Sequence, residues 1–130
     1  MRISEIETFV IGGSWRNWVI VRLITDDGLE GVGEATLEGK ADSVRAAVGE
    51  LARYITGKDP CQTERHFQEM YRRAFYAGGE VLNSAISGVE TAMWDLKGKA
   101  LGKPVHELWG GKHRETVRAY ASYLFGETPD

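Results

Sequence analysis

The sequence predicts an α+β fold, in which a three-stranded antiparallel meander is followed by a helical bundle. Two patterns carry this prediction. Residues 1–37 contain runs of β-branched and aromatic residues that glycine-containing turns separate, whereas from residue 41 the apolar residues recur at steps of three and four. A third pattern, in residues 117–130, predicts a strand and then a helix start, as at the beginning of a β/α unit.

The predicted strands are residues 3–12, 18–25 and 29–37. Gly28, after two aspartates, supplies a residue that tolerates positive φ in the turn before the third strand. Gly31 and Gly33 lie at period two, so one face of the third strand has no side chains. We expect another backbone or a ligand to approach that face closely, and packing is the favoured reason.

Three longer helices follow. The first ends near Gly57, which suits a left-handed cap, and the second is predicted to begin with Asp59 as cap and Pro60 as its first residue. Gly88 and Gly98 interrupt the third helix and indicate close packing, because each costs about 1 kcal/mol relative to alanine. The predicted apolar stripes comprise Val44, Ala47, Val48, Leu51 and Ile55 in the first helix, Phe67, Met70, Tyr71 and Ala74 in the second, and Leu82, Ala85, Ile86, Val89, Ala92, Met93, Leu96 and Ala100 in the third.

Composition excludes several classes of function. The 130 residues carry a formal net charge of −3 without a basic run, which argues against nucleic acid as a partner. One cysteine, Cys61, cannot form an internal disulfide, and this favours a reducing compartment. No apolar run approaches the roughly 18 residues of a membrane span, and the acidic start does not resemble a signal peptide. We therefore expect a cytoplasmic protein without a membrane partner.

Motifs for catalysis and metal binding are absent from the sequence. The glycine-rich stretches do not fit a dinucleotide fingerprint or a P-loop. His66, His106 and His113 lack ligand spacing and are expected at the surface, so we predict no metal site within this chain. Cys61 could have its pKa lowered by the helix start, but no general base accompanies it, which favours a structural role. The residues alone predict a soluble α+β fragment of a larger protein, without catalytic residues of its own.

Several strings in order resemble the enolase superfamily, specifically the N-terminal capping domain of its mandelate racemase/muconate lactonizing enzyme branch, nearest to the acid-sugar (galactonate-type) dehydratases. They are TDDGLEGVGEA at 25–35, FYAGG at 75–79, SAISGVETAMWDLKGK at 84–99 and PVHELWGG at 104–111. The resemblance covers essentially the whole chain. It implies a capping domain at 1–115 and the beginning of a (β/α) barrel at 116–130, with the rest of the barrel outside this chain.

The resemblance also implies the chemistry. In this family the barrel holds one Mg²⁺ and the bases that remove the proton α to a substrate carboxylate, so the Mg²⁺ ligands and catalytic residues are expected beyond residue 130. We expect the parent protein to be a sugar-acid dehydratase, a lyase, and this chain alone to be inactive. A racemase or epimerase of the same superfamily is the alternative, and a barrel-less interaction fragment is another. Family members commonly associate, which implies a homo-oligomer. The resemblance also implies that this domain contacts the C-terminal barrel of the same protein.

Two loops match the family's capping loops, which cover the mouth of the barrel and shape substrate selection. They are residues 13–18 and 36–40. The substrate-binding candidates are Trp15, Arg16, Trp18, Glu38, Lys40 and, in a third loop, Tyr76. Tryptophan suits a carbon chain and the exclusion of water, while the charged side chains suit carboxylate or hydroxyl oxygens. The structural alternatives are a tryptophan that covers the sheet and charges that are simply solvated. Ala77 and Glu80 depart from the FYRGGP string expected of the nearest dehydratases, which leaves the substrate open.

Overall fold

The computed structural model describes residues 1–14, 16–73 and 75–120 and confirms the α+β prediction. Its strands and helices are β1 (Ile3–Gly12), β2 (Asn17–Thr25), β3 (Glu30–Glu34), α1 (Ala41–Ile55), α2 (Thr63–Arg72), α3 (Glu80–Leu101) and the short α4 (Val105–Leu108). The strands form one antiparallel sheet in the order β1-β2-β3. The helices cover one face of this sheet, and no helix in the described part of the chain is long and apolar enough to cross a membrane.

The core lies between the sheet and the helices. Alternate residues of β2 and the apolar stripes of α1 and α3 supply most of it, and the helix stripes are those that the periodicity predicted. Its members include Val19, Val21, Leu23, Val44, Val48, Leu51, Ile55, Ala85, Ile86, Val89, Ala92, Met93 and Leu96. Ala100, assigned to the same stripe, is instead exposed near the end of α3.

Glycines in β3 let α3 lie directly on the sheet. A Cβ atom at Gly31 would be 2.2 Å from the Ala92 carbonyl oxygen, and one at Gly33 would be 2.1 Å from the Gly88 oxygen. From the helix side, a Cβ at Gly88 would be 2.5 Å from the Cβ of Ala35. The close approach expected at these glycines is confirmed, and the partner is the backbone of α3.

Side chains of α3 form hydrogen bonds with main-chain groups on the outer edge of β3. Asp95 Oδ2 accepts a hydrogen bond from the Val32 N–H at 2.9 Å, and Lys99 Nζ donates to the Glu30 carbonyl at 2.8 Å. Lys99 also pairs with Asp95 at 2.6 Å. These contacts occupy main-chain groups that would otherwise be open on an edge strand.

Two predicted boundaries are wrong for local reasons. The third strand was expected to reach residue 37 but ends at Glu34, because the Thr36 hydroxyl, and not a backbone carbonyl, accepts the Val19 N–H at 3.0 Å. Helix α2 was expected to begin at Pro60 but begins at Thr63. Asp59 forms a turn there, since its Oδ1 accepts the Cys61 N–H at 2.9 Å.

The expectation of surface histidines is wrong for one of the three. His66 is only 1% exposed, and its Nε2 donates to the Asp59 carbonyl at 2.7 Å. His106 and His113 are exposed as expected. The buried ring therefore ties α2 to the turn that precedes it.

The C-terminal prediction is tested only over a few residues. Residues 117–120 contain no strand, and residues 121–124 of the predicted strand, like the helix start at 128–130, lie outside the described residues. Ala74, assigned to the stripe of α2, also lies outside them. The domain boundary at residues 115 and 116 stays a prediction.

Candidate functional site

A cavity of about 450 Å³ opens between the β1–β2 turn and the segment that joins β3 to α1. Each of the two capping loops predicted from the sequence contributes to its wall. The described residues that line it are Gly13, Ser14, Arg16, Asn17, Gly39, Lys40, Ala41, Asp42 and Ser43. Nearly all are polar or small, so the cavity suits a hydrophilic ligand.

The first wall is a tight turn between β1 and β2. The Gly13 N–H donates to the Arg16 carbonyl at 2.9 Å, and a Cβ at Gly13 would be 2.5 Å from the same oxygen. A glycine is therefore required for the turn to close. The guanidinium carbon of Arg16 lies 4.3 Å from the centre of the Trp18 ring, at the start of β2.

The second wall is anchored to the same strand. The Val19 carbonyl accepts the Ala35 N–H at 2.8 Å, and the Val19 N–H is bonded to Thr36. A turn then follows, in which the Lys40 N–H donates to the Leu37 carbonyl and Gly39 has a φ of 68°. Because β2 holds both loops, Arg16 and Lys40 reach one cavity although they are far apart in sequence.

The charge balance of the cavity favours a ligand rich in oxygen. Lys40 is the N-cap of α1 without a side-chain cap hydrogen bond, so the first-turn N–H groups of the helix add partial positive charge to the cations Arg16 and Lys40. Asp42 is the lining carboxylate among the described residues, and Arg45 pairs with it at 2.9 Å. The arrangement can bind carboxylate or hydroxyl oxygens, and these are groups for binding rather than for making bonds.

The predicted site residues are only partly assembled. Arg16 and Lys40 line the same cavity. Trp18 does not, and its ring centre lies 4.3 Å from the guanidinium carbon of Arg16. Glu38 belongs to the 36–40 loop but is not among the described lining residues. The substrate-binding role of each candidate stays a prediction.

The other two candidates lie outside this group. Tyr76 is 86% exposed, packs edge-to-face on Phe75 at 5.1 Å, and does not line the cavity. Trp15 lies outside the described residues. The sequence reasoning missed Ser43 and the start of α1, although a helix that begins directly after a capping loop signals free N–H groups at that point.

In the described residues, neither Cys61 nor a metal cluster adds a reactive centre to this binding cavity. Burial, with a smaller contribution from Asp59, raises the pKa of the Cys61 thiol, which is contrary to the lowering that a helix start would cause. Cys61 also lies outside α2, which begins two residues later. Within residues 1–14, 16–73 and 75–120, no group of three His, Cys, Asp or Glu side chains is arranged to hold a metal ion.

Comparison with known proteins agrees with this architecture. The chain is 45% identical over 129 residues to a D-galactonate dehydratase of Xanthomonas campestris pv. campestris (strain B100), a match that covers 99% of this chain and 33% of the relative. The chain thus spans about one third of the length of the curated relatives it matches.

Solved structures show the same fold. A member of the enolase superfamily from Salmonella Typhimurium matches with a TM-score of 0.90 at 34% identity, over 97% of this chain and 34% of that one. An enolase from Pantoea ananatis with bound D-gluconate and Mg matches with a TM-score of 0.82 at 37% identity, over 87% of this chain and 28% of that one.

A family model confirms the resemblance seen in the sequence. The model for the mandelate racemase / muconate lactonizing enzyme, N-terminal domain, matches residues 7–110. This interval runs from within β1 to just past α4 and contains every described element that forms the cavity. The chain therefore belongs to the family of mandelate racemase / muconate lactonizing enzyme N-terminal domains.

Proposed function

We propose that this chain is the capping and substrate-selecting domain of a Mg²⁺-dependent sugar-acid dehydratase. The observation that carries the proposal is the cavity of about 450 Å³ between the two capping loops, with Arg16 and Lys40 in its wall. A sugar acid offers a carboxylate and several hydroxyl oxygens, and cationic side chains bind such oxygens well. The relatives named D-galactonate dehydratases and the neighbour with bound D-gluconate support this substrate class.

The proposal assigns different roles to this chain and to the remainder of the enzyme. Following the family resemblance, the proposal assigns the Mg²⁺ and the bases to the barrel and assigns substrate binding to this domain. When bound, Mg²⁺ would supply charge stabilisation for the enolate formed by loss of the α-proton. The residues of this chain bind the substrate away from the reacting carbon and exclude water from it.

Within this division, Lys40 and Arg16 are the proposed substrate contacts. Lys40 lies at the start of α1, where the helix N-terminus and the ammonium group favour the same negative charge. Arg16 offers several N–H donors in a fixed plane. Glu38, on the same loop as Lys40, is the proposed contact to a hydroxyl group of the substrate.

The test is a steady-state assay of the complete enzyme against aldonic and aldaric acids, with Mg²⁺ and with the metal chelated. We expect Mg²⁺-dependent formation of a keto-deoxy acid, and Lys40→Met should raise KM by about tenfold with little change in kcat. Lys103→Met is the matched control, because Lys103 pairs with Glu107 and does not line this cavity. An absence of Mg²⁺-dependent turnover across the panel would refute the dehydratase assignment, and an unchanged KM would remove Lys40 from the site.

A further inference from the structure

The aromatic ring of Trp18 lies beside the cavity, and its position suggests a different role from substrate contact. Trp18 lies in β2, opposite Ile11 of β1, and is 37% exposed. It is not among the described residues that line the cavity, although its neighbours Arg16 and Asn17 are. The ring thus borders the site without forming its wall.

The indole ring lies beside the β1–β2 turn and contacts Arg16. At one end, the guanidinium carbon of Arg16 lies 4.3 Å from the ring centre. At the other end, Trp18 Nε1 is 3.5 Å from the place that a Cβ would take at Gly13. Trp18, on a hydrogen-bonded strand, therefore supports Arg16 in the turn. A turn has more conformational freedom than a strand.

A contact between the guanidinium carbon of Arg16 and an aromatic ring does not by itself use the N–H donors of that group. A guanidinium group that stacks on an aromatic ring uses its face, whereas its N–H donors point outwards in its own plane. An aromatic platform can therefore fix the orientation of the group without occupying the edges that bind oxygen atoms. Lysine has no flat face of this kind, so it would not be oriented in the same way.

We propose that Trp18 is a positioning residue, which holds the Arg16 guanidinium at the cavity and does not itself contact the substrate. The inference rests on the proposed function, because it specifies how a substrate contact of that site is oriented. This role differs from the two that the sequence left open for this tryptophan, which were a contact to the carbon chain of the substrate and a cover for the sheet.

The test is a double-mutant cycle in the complete enzyme, with the variants Arg16→Met, Trp18→Leu and the two combined. If Trp18 acts through Arg16, each single variant raises KM for the sugar acid by about tenfold with kcat little changed, and the combined variant is no worse than Arg16→Met alone. Trp18→Phe keeps an aromatic face and should retain most of the wild-type affinity.

A matched control removes another ring that lies over an arginine. Phe9 lies 5.3 Å from the Arg22 guanidinium carbon, and neither residue lines the cavity. Phe9→Leu should therefore leave KM unchanged, and thermal unfolding of each variant separates a folding defect from a binding defect. If the effects of Arg16→Met and Trp18→Leu multiply, or if Trp18→Leu leaves KM unchanged, the positioning role is refuted.

A second measurement does not depend on turnover. Protons of the Arg16 side chain that lie over the indole should show an upfield ring-current shift in NMR spectra of the arginine-labelled enzyme, and this shift should disappear in Trp18→Leu. Absence of the shift in the wild type overturns the inference. If the shift is present but no sugar acid is turned over, the contact between Arg16 and Trp18 is upheld. The proposed function is then refuted, and so is the predicted effect of the two substitutions on KM.

Discussion

Position 33 shows how one residue sets the distance between two elements. A Cβ at Gly33 would lie 2.1 Å from the Gly88 carbonyl oxygen and 2.8 Å from the Ala92 nitrogen. Both atoms belong to the backbone of α3, so a side-chain rotation cannot relieve the clash. The same reasoning applies at Gly31, where the Ala92 oxygen is 2.2 Å away. Because these two glycines have no side chain, α3 can pack directly on the sheet.

Gly33→Ala should therefore lower the free energy of unfolding by about 3 kcal/mol, the upper part of the usual range for overpacking. Gly49→Ala is the matched control, since Gly49 lies in α1, where a Cβ would meet no atom of the described residues within 4 Å. Alanine there should stabilise the helix by about 0.5–1 kcal/mol. Urea unfolding of the chain, at a concentration low enough to avoid association, measures both. Equal effects of the two substitutions would contradict the packing argument.

At the scale of elements, an ion pair joins the segment after α1 to α2. Lys58 donates a hydrogen bond to Glu69, and Arg65, one turn earlier on α2, also contacts Glu69 at 3.3 Å. The bond from Lys58 is the largest cause that lowers the pKa of Glu69 below its ordinary value, and Arg65 adds to it. The Glu69 side chain is 23% exposed, so solvent screens part of the interaction.

The lowered pKa predicts how stability depends on pH. Since the folded state favours the ionised Glu69, the stabilisation is present above the ordinary pKa of 4.5 and is lost as pH falls through the lowered value. Glu69→Gln should therefore be less stable than the wild type at pH 7, and the difference should shrink towards about pH 3. Urea midpoints across this range measure it, with Glu50→Gln, an exposed carboxylate on α1, as control. A difference that does not vary with pH would contradict the ion-pair explanation.

At the scale of the whole molecule, several large apolar side chains in the described part of the chain are exposed. Phe75 and Tyr76 are 94% and 86% exposed, and Trp109 and Ile11 are 66% and 53% exposed. Aromatic side chains at such exposure mark surfaces that other parts of a protein commonly cover. The proposed barrel would provide such a cover, and so would the homo-oligomer that the family resemblance implies.

Residues 1–130 expressed alone should therefore self-associate, whereas the complete enzyme should form a defined species. Size-exclusion chromatography with light scattering measures the difference, and the isolated chain should show a mass that exceeds 14.5 kDa and rises with concentration. Phe75→Ser combined with Tyr76→Ser should reduce the association if these side chains contribute to it. A stable monomer at all concentrations would contradict the prediction.

Much of this architecture follows from local patterns in the sequence. The apolar, β-branched run of β2, the steps of three and four in α1 and α3, and Gly57, which has a positive φ after α1, are sufficient to predict those elements, because each depends on residues that are close in the chain. The family could also be identified from short strings in order, which the match over residues 7–110 confirms.

Other features depend on contacts between distant residues and could only come from the tertiary structure. The end of β3 depends on the Thr36 side chain finding Val19, and the burial of His66 depends on the Asp59 carbonyl. Likewise, local patterns can list Arg16, Trp18 and Lys40, but they cannot tell which of these side chains meet. Both loops are anchored on β2, because the first leads directly into that strand and the second follows the strand that pairs with it. This common anchor brings Arg16 and Lys40 to one cavity and places the Trp18 ring on Arg16.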